Sequence, residues 1–170
     1  PTAVVIIPTY NERENIEQTL KAVFANFKKI DDWQMQALVV DDTSPDKTYK
    51  LVKELQKKKP YRKNLHLVMN KEKSGLGGAY LRGMKEAFSK LKADVVFEFD
   101  ADLSHDPSKL GQFLKKIDGG ADMVLGSRYI QGGGIPEDWG FHRKLLSRVG
   151  NLVAMTILTD FSIRDWTSGY

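Results

Sequence analysis

The sequence contains no cysteine. This absence excludes disulfide bonds, thiolate nucleophiles and zinc sites with cysteine ligands, so stability has to come from packing. It is compatible with a reducing, cytosolic environment. Long apolar runs are missing as well, because the most apolar late stretch, residues 149–158, falls far short of the ~20 apolar residues of a membrane-spanning helix. The chain opens on an apolar segment without a basic leader, so no signal peptide is visible.

The rest of the composition is that of a globular protein. Of 170 residues, 41% are hydrophobic and 28% are charged, which predicts a single folded domain over residues 1–170. The formal net charge of +4 is mild, with basic residues concentrated in 61–93 and acidic ones in 94–140. The basic stretch is interpreted as a solvated helix face, and no nucleic-acid partner is expected.

Short β-branched runs predict five buried strands, at residues 4–7, 37–40, 65–69, 95–97 and 123–125. Helical patterns between them predict helices at residues 12–27, 46–58, 76–91 and 107–117. Such alternation predicts an α/β fold, in which a mostly parallel, Rossmann-like sheet carries helices on both faces. Ligands of such sheets bind beyond the carboxyl ends of the strands.

Acidic side chains follow three of these strands, including Asp42 after the second and Asp100 and Asp102 after the fourth. Like charges gathered at strand ends repel one another unless a cation offsets them. Asp100 and Asp102 are two residues apart, so on an extended segment both carboxylates point the same way. Hard oxygen ligands suit Mg²⁺ or Mn²⁺, and Mg²⁺ usually shares its carboxylates with substrate phosphates. The sequence therefore predicts a metal site that binds a diphosphate.

Other polar residues near the strand ends have structural interpretations. Asn11 and Ser44 are interpreted as helix N-caps, and Asp46 as an anion in a first helical turn. His105, which precedes an Asp-Pro pair, is predicted to be a turn residue rather than a third metal ligand. Trp139, after a cluster of glycines at 132–134, either covers bound substrate or packs as an ordinary apolar residue.

The glycine-rich segment at residues 73–78 differs from known phosphate-binding loops. It lacks the residue order of a P-loop, and no G-x-G-x-x-G follows the first strand, so neither a P-loop NTPase nor a Rossmann dehydrogenase is supported. Its glycines predict a sharp start of the third helix, or close approach of a ligand.

Six segments resemble, in order, the family 2 glycosyltransferases of the GT-A fold: PTYNERENI, VVDDTSPDKT, KSGLGGAYLRGM, FDADLSHDP, GSRYIQGGG and RKLLSRVGN. The resemblance covers essentially the whole chain and is strongest to the dolichol-phosphate mannose synthase group. It implies an inverting transfer of mannose from GDP-mannose to a dolichyl or polyprenyl phosphate, which gives a β-linked sugar phospholipid. Two alternatives stay open, a dolichyl-phosphate β-glucosyltransferase that uses UDP-glucose and a non-catalytic nucleotide-sugar-binding module.

The resemblance also implies roles for individual residues. The nucleotide sugar would contact Pro8, Tyr10, Glu12, Val40, Asp42, Asp100, Ala101, Asp102 and Arg128. The metal, Mg²⁺ or Mn²⁺, would be held by Asp100 and Asp102. Catalysis would rest on Asp102 and on Arg128, whose guanidinium is expected at phosphate rather than in a surface salt bridge. The lipid-phosphate acceptor would lie beside Arg143, Ser147 and Asn151, which share one helix face.

The last third of the chain suggests a membrane surface as a partner. The helical pattern at residues 143–158 starts with basic residues and continues with leucines, which predicts peripheral binding at the cytoplasmic face of a membrane. A core helix is the alternative. The family motif at residues 165–170 normally continues with an arginine and further residues, so we expect a catalytic domain that is truncated at its C-terminal end.

Overall fold

The computed structural model describes residues 1–130, 133–135, 140–159, 161, 163 and 165–166. The chain divides into two compact units, Pro1–Gly119 and Gly120–Tyr170. That both belong to one catalytic domain stays a prediction. Trp139 and Gly132, and with them the predicted substrate cover, lie outside the described residues.

The first unit alternates strands and helices as predicted. Its elements are β1 (Thr2–Thr9), α1 (Ile16–Phe27), β2 (Gln34–Asp41), α2 (Thr48–Leu55), β3 (Leu65–Met69), α3 (Gly75–Ser89), β4 (Val95–Glu98) and α4 (Leu110–Asp118). Short 3-10 turns at Tyr61–Lys63 and Pro107–Lys109 precede β3 and α4. Four predicted strands and four predicted helices are therefore confirmed, with shifts at their ends.

The four strands form one parallel sheet in the order β3-β2-β1-β4. The chain moves outward from β1 to β3 and then returns across the sheet to β4. Because such crossovers are right-handed, α1 and α2 lie on one face and α3 lies on the other. The predicted α/β fold is confirmed. The reversal of direction opens a crevice at the carboxyl ends of β1 and β4, where ligands of such sheets bind.

The two central strands, β1 and β2, are buried on both faces of the sheet. Every residue of β1 from Ala3 to Ile7 has 0% exposure, although its side chains alternate between the faces. On one face, α3 packs so closely that a Cβ on Gly83 would lie 2.5 Å from Cγ2 of Ile6. Gly75 starts α3 with a φ of +73°, which agrees with the sharp helix start predicted from the glycines. α3 is therefore held rigidly beneath the crevice.

The prediction of a fifth strand at residues 123–125 was wrong. In the part of the chain that the structure describes, this segment pairs with no strand, and Met123 and Leu125 are 64% and 40% exposed. Three apolar residues are too few to distinguish a strand from an extended loop.

The second unit contains the helix α5 (Phe141–Leu158), which buries only Asn151. Its apolar side chains are largely exposed, among them Phe141 at 74% and Ile157 at 74%. No helix in the described parts of the chain is both long and apolar enough to cross a membrane.

Candidate active site

A cavity of about 280 Å³ opens at the carboxyl ends of β1 and β4. It is lined by Pro8, Thr9, Tyr10, Glu12, Asp42, Lys73, Gly75, Leu76, Ala79, Asp100, Ala101 and Asp102. Of the predicted donor-binding residues, Arg128 belongs to the second unit, and those of the first unit come together at this cavity with one exception. Val40 is fully buried in the apolar cluster beneath α3 and does not line the cavity, so its role stays a prediction.

The loops after β1 and β2 are joined to each other by side chains. The N–H of Asn11 donates to Oγ of Ser44 at 3.1 Å, and the N-cap of α1 is Asn15. The N-cap of α2 is Lys47, so the interpretation of Asn11 and Ser44 as N-caps was wrong. Asp46 lies two residues before α2 and not in its first turn as predicted, but its carboxylate accepts from the N–H of Thr48, the first residue of α2, at 2.9 Å. These contacts hold the rim of the cavity in shape.

The two aspartates that end β2 have different partners. Asp41 is fully buried, and its carboxylate accepts from the N–H of Ser44 at 2.9 Å, from its hydroxyl at 2.7 Å and from the Thr9 hydroxyl at 3.0 Å. A buried carboxylate with three donors is satisfied without a ligand. Asp41 therefore ties the ends of β1 and β2 together, and Asp42 is left to face the cavity.

Asp42 anchors the loop that leads into α3. Its carboxylate accepts from Nδ2 of Asn70 at 2.6 Å and from the backbone N–H groups of Ser74 and Gly75 at 2.8 and 3.0 Å. These two N–H groups lie at the start of α3, where the helix dipole favours an anion. Sequence reasoning missed Asn70 and Ser74, because no local pattern links them to a residue some thirty positions earlier.

Lys73 supplies positive charge to an acidic site. Its Nζ lies 3.8 Å from the ring centroid of Tyr10, within the range of a cation–π contact. Among the described residues that line the cavity, it is the only cation, beside the carboxylates of Glu12, Asp42, Asp100 and Asp102. An anionic ligand would therefore find Lys73 already at the wall of the cavity.

Asp100 is held by two residues that sequence reasoning did not assign to the site. The hydroxyl of Tyr80 donates to its Oδ1 at 3.1 Å. The backbone N–H of Asp100 donates to Nδ1 of His105 at 3.1 Å, and Nε2 of His105 lies 3.7 Å from Oδ2 of Asp100. Burial, and then the Asp100 carboxylate, raise the pKa of the Tyr80 hydroxyl, which keeps it a donor. His105 lies in a bend, as predicted, but it is only 6% exposed.

Asp102 is oriented by the turn that follows it. Leu103 has a φ of 64°, in the left-handed region, and this turn brings the N–H of Ser104 to 2.9 Å from Oδ1 of Asp102. Burial by itself would raise the pKa of Asp102, but the hydrogen bonds from Ser104 outweigh it and lower the pKa. The carboxylate is therefore ionised and available to a cation at neutral pH.

The donor set fits a divalent ion that is shared with a ligand. Within the described residues, no cluster of three or more His, Cys, Asp and Glu side chains surrounds one point. Asp100 and Asp102 offer two carboxylates at the cavity wall. One or two carboxylates completed by phosphate oxygens and water is the usual arrangement for Mg²⁺. The residues present thus suit a metal that binds together with a diphosphate.

In the second unit, Arg128 is paired with a residue that the sequence did not point to. Its Nε and Nη2 donate to Oδ2 and Oδ1 of Asp165 at 2.9 and 2.7 Å, and its backbone N–H donates to Oδ2 at 2.9 Å. The side chain of Asp165 is fully buried and that of Arg128 is 18% exposed, so this is not the surface salt bridge considered above. Whether Arg128 also contacts phosphate stays a prediction.

The residues predicted to bind the acceptor, Arg143, Ser147 and Asn151, lie on α5. Oγ of Ser147 lies 2.8 Å from the hydroxyl of Tyr129, and Oδ1 of Asn151 accepts from the N–H of Trp166 at 2.8 Å. Arg143 is exposed. A second cavity, of about 380 Å³, is lined by Tyr129, Arg148, Asn151, Met155 and Phe161. Asn151 is therefore both a structural residue and part of a cavity wall.

Residues 4–165 match the family model of glycosyl transferase family 2. The chain belongs to glycosyl transferase family 2. This membership confirms the resemblance carried by the six motifs.

Three curated relatives in this family align with 98% of the chain, over 167 residues each. The chain is 38% identical to dolichol-phosphate mannosyltransferase of Pyrococcus furiosus, 40% to polyprenol monophosphomannose synthase of Mycolicibacterium smegmatis, and 36% to undecaprenyl-phosphate mannosyltransferase of Micrococcus luteus. The alignments cover 44%, 59% and 64% of those proteins, so the chain spans about half the length of the curated relatives it matches.

Two solved structures share the fold of this family 2 chain. The mannosyltransferase PcManGT from Pyrobaculum calidifontis, in complex with GDP-Man and Mn²⁺, matches with a TM-score of 0.52 and 28% identity over 66% of this chain and 31% of that chain. S. aureus TarS 1-349, in complex with UDP-GlcNAc, matches with a TM-score of 0.52 and 26% identity over 70% of this chain and 32% of that chain. The predicted GT-A fold is confirmed.

Proposed function

We propose that this chain holds the donor site of a polyprenyl-phosphate mannosyltransferase that uses GDP-mannose. The observation that carries the proposal is the cavity in which Asp100 and Asp102 meet Tyr10, Glu12 and Asp42 at one edge of the sheet. The names of the three relatives, which are mannosyltransferases or mannose synthases of polyprenol-type phosphates, support this substrate pair. The GDP-Man bound to PcManGT supports the choice of donor.

The lining residues suggest how the donor lies. Tyr10, Glu12 and Asp42 would surround the nucleoside, with Glu12 accepting from ribose hydroxyl groups. Asp100 and Asp102 would hold Mg²⁺ or Mn²⁺ together with the diphosphate, and the ion, when bound, would neutralise the charge of the leaving group. Lys73, already at the cavity wall, would add a second positive charge near the diphosphate.

The reaction would be a single displacement. An oxygen of the acceptor phosphate would form a bond to the anomeric carbon while the bond from that carbon to the nucleoside diphosphate breaks on the opposite face. The configuration inverts, and the product is β-linked. Because the acceptor is already an anion at neutral pH, the protein needs no strong general base. Its residues would act by positioning and by electrostatics, with Arg128 at the leaving diphosphate.

The acceptor would approach along α5. Arg143, Ser147 and Asn151 would border its phosphate, and the exposed apolar residues of the same helix would lie at the surface of a membrane. Leu146 is 73% exposed, and Lys144 and Arg148 add positive charge for anionic headgroups. The core-helix alternative receives no support, since α5 buries only Asn151. We propose peripheral binding at the cytoplasmic face.

A donor that contains UDP is the second candidate. The UDP-GlcNAc bound to TarS, a structure of similar fold, favours it, and a dolichyl-phosphate β-glucosyltransferase would use UDP-glucose. A non-catalytic nucleotide-sugar-binding module is a third candidate, and it would bind a donor without transferring the sugar.

Calorimetric titration of GDP-mannose against UDP-glucose, with and without Mn²⁺, tests the proposal. We expect GDP-mannose to bind at least about tenfold more tightly, a difference of ~1.4 kcal/mol, and only when Mn²⁺ is present. Tighter binding of UDP-glucose would favour the second candidate. A transfer assay with polyprenyl phosphate, on a form as long as the relatives, then separates an enzyme from a binding module.

A further inference from the structure

Tyr80 is a buried residue whose hydroxyl reaches the edge of the candidate active site. It lies on α3, is 8% exposed, and its ring belongs to the apolar cluster that includes Val4, Ile6 and Leu38. A buried phenol needs a hydrogen-bond partner. The partner of Tyr80 is Oδ1 of Asp100, at 3.1 Å and 20 residues further along the chain.

The tyrosine is held more firmly than the aspartate that it contacts. Its ring is packed in the core, and α3 lies against β1 with no space for a side chain at Gly83. Asp100 by contrast lies in the loop after β4, and its side chain is 40% exposed. The hydroxyl is therefore a fixed donor at Oδ1, and it limits the rotation of the Asp100 carboxylate about its χ angles.

The hydrogen bond leaves Asp100 able to bind a cation. A carboxylate offers about four lone-pair sites, and Tyr80 occupies one of them, on Oδ1. Nδ1 of His105 accepts from the backbone N–H of Asp100 at 3.1 Å, and Nε2 of His105 lies 3.7 Å from Oδ2 of Asp100. Asp102 has its own orienting donor in the N–H of Ser104, at 2.9 Å. Each candidate metal ligand thus has a protein donor that sets its direction, as is common around metal sites.

We propose that Tyr80 is a positioning residue, which orients the Asp100 carboxylate toward the divalent ion and the diphosphate of the donor. The proposal rests on the proposed function, because it requires a metal at Asp100 and Asp102. Loss of such an outer partner typically weakens metal binding by about 10- to 100-fold. The ring of Tyr80 would remain necessary for packing, and only its hydroxyl would serve the metal.

Tyr80→Phe tests the inference, because it removes the hydroxyl and keeps the ring. Mn²⁺ binding is measured with GDP present, by calorimetry and by the electron paramagnetic resonance of free Mn²⁺. We expect the apparent Mn²⁺ affinity to fall by about 10- to 100-fold, with the metal-free melting temperature close to that of the parent. Tyr61→Phe is the matched control, since Tyr61 is also buried, at 5% exposure, and packs against Phe24 away from the cavity.

A second variant shows whether Tyr80 acts through Asp100. In an Asp100→Asn background, Tyr80→Phe should weaken the residual Mn²⁺ binding little further, because the two changes disable the same ligand. This comparison holds even if Tyr80→Phe lowers the melting temperature. Additive effects of the two substitutions would overturn the inference.

The outcomes separate the two proposals. If the parent protein binds GDP in an Mn²⁺-dependent way and Tyr80→Phe binds Mn²⁺ equally well, Tyr80 has no positioning role and the proposed function stands. If the parent shows no Mn²⁺-dependent binding of GDP or UDP, the metal-dependent donor site fails and the role of Tyr80 fails with it.

Discussion

Arg128 and Asp165, 37 residues apart, are joined by two side-chain hydrogen bonds of 2.9 and 2.7 Å. The neighbouring Trp166 is held in turn by Oδ1 of Asn151 on α5. The segment at residues 165–166 is therefore fastened at two points within the second unit. One consequence is that the arginine predicted to bind phosphate also has a structural role.

Removing one partner of this pair should destabilise the second unit. Breaking a buried ion pair leaves an uncompensated charge and typically costs about 3–5 kcal/mol, so Asp165→Ala should lower the urea midpoint of unfolding measured by tryptophan fluorescence. The double variant Arg128→Met with Asp165→Leu is the control, and it should recover part of the loss because no charge remains buried. An unchanged midpoint in Asp165→Ala would show that the pair contributes little.

Nucleotide binding should depend on a divalent ion through Asp100 and Asp102. Asp102→Asn removes a charge at almost constant shape, and we expect the Mn²⁺-dependent affinity for GDP to fall by about tenfold or more, as with Asp100→Asn. Asp94→Asn is a matched control. Asp94 directly precedes β4, and its carboxylate accepts from the N–H of Thr2 at the amino-terminal ends of the strands, away from the cavity. Calorimetry that shows unchanged binding in Asp102→Asn and Asp100→Asn would rule out the metal assignment.

Asp42 should affect the donor through the loop that it anchors. Asp42→Ala removes the acceptor for Asn70 and for the N–H groups of Ser74 and Gly75, so we expect faster hydrogen exchange at these two amides. We also expect the affinities for GDP and for UDP to fall by the same factor, about tenfold, because a loop contact does not distinguish the bases. Selective loss of one nucleotide would instead indicate that Asp42 contacts the edge of the base.

The helix α5 should retain the protein on anionic vesicles at low salt. A basic residue near such a surface contributes about 1 kcal/mol, so Lys144→Glu with Arg148→Glu should reduce co-sedimentation, and added salt should do the same. Lys57→Glu with Lys59→Glu makes the same change of charge beyond the end of α2 and serves as the control. Equal retention of both double variants would contradict a role for α5.

Arg143 should act on the acceptor and not on the donor. In a form as long as the relatives, Arg143→Ala should raise the apparent KM for polyprenyl phosphate and leave the affinity for GDP-mannose unchanged, because a phosphate loses a charged contact. Steady-state kinetics at varied acceptor concentration measures the first quantity, and calorimetry the second. If only nucleotide binding were weakened, Arg143 would be assigned to the donor site and not to the acceptor site.

The sequence was sufficient wherever the information is local. Strand β3 was predicted at residues 65–69 and lies at Leu65–Met69, because a short, mostly apolar run between polar turns is typical of a strand. The Asp100 and Asp102 pair was visible because its two carboxylates are two residues apart. The prediction of a strand at residues 123–125 was wrong because three residues are too few to show a hydrophobic periodicity.

The tertiary structure alone decided what surrounds these residues. The order β3-β2-β1-β4 places the ends of β1 and β4 side by side, which creates the cavity. The partners of the acidic side chains come from distant positions, Tyr80 for Asp100, Ser74 for Asp42 and Asp165 for Arg128. Hydrogen bonds depend on distance in space, and no spacing along the chain encodes them. The sequence by itself thus determined the four strands of the sheet, the helices and the motif of the proposed metal ligands, whereas packing determined which distant donors orient those ligands.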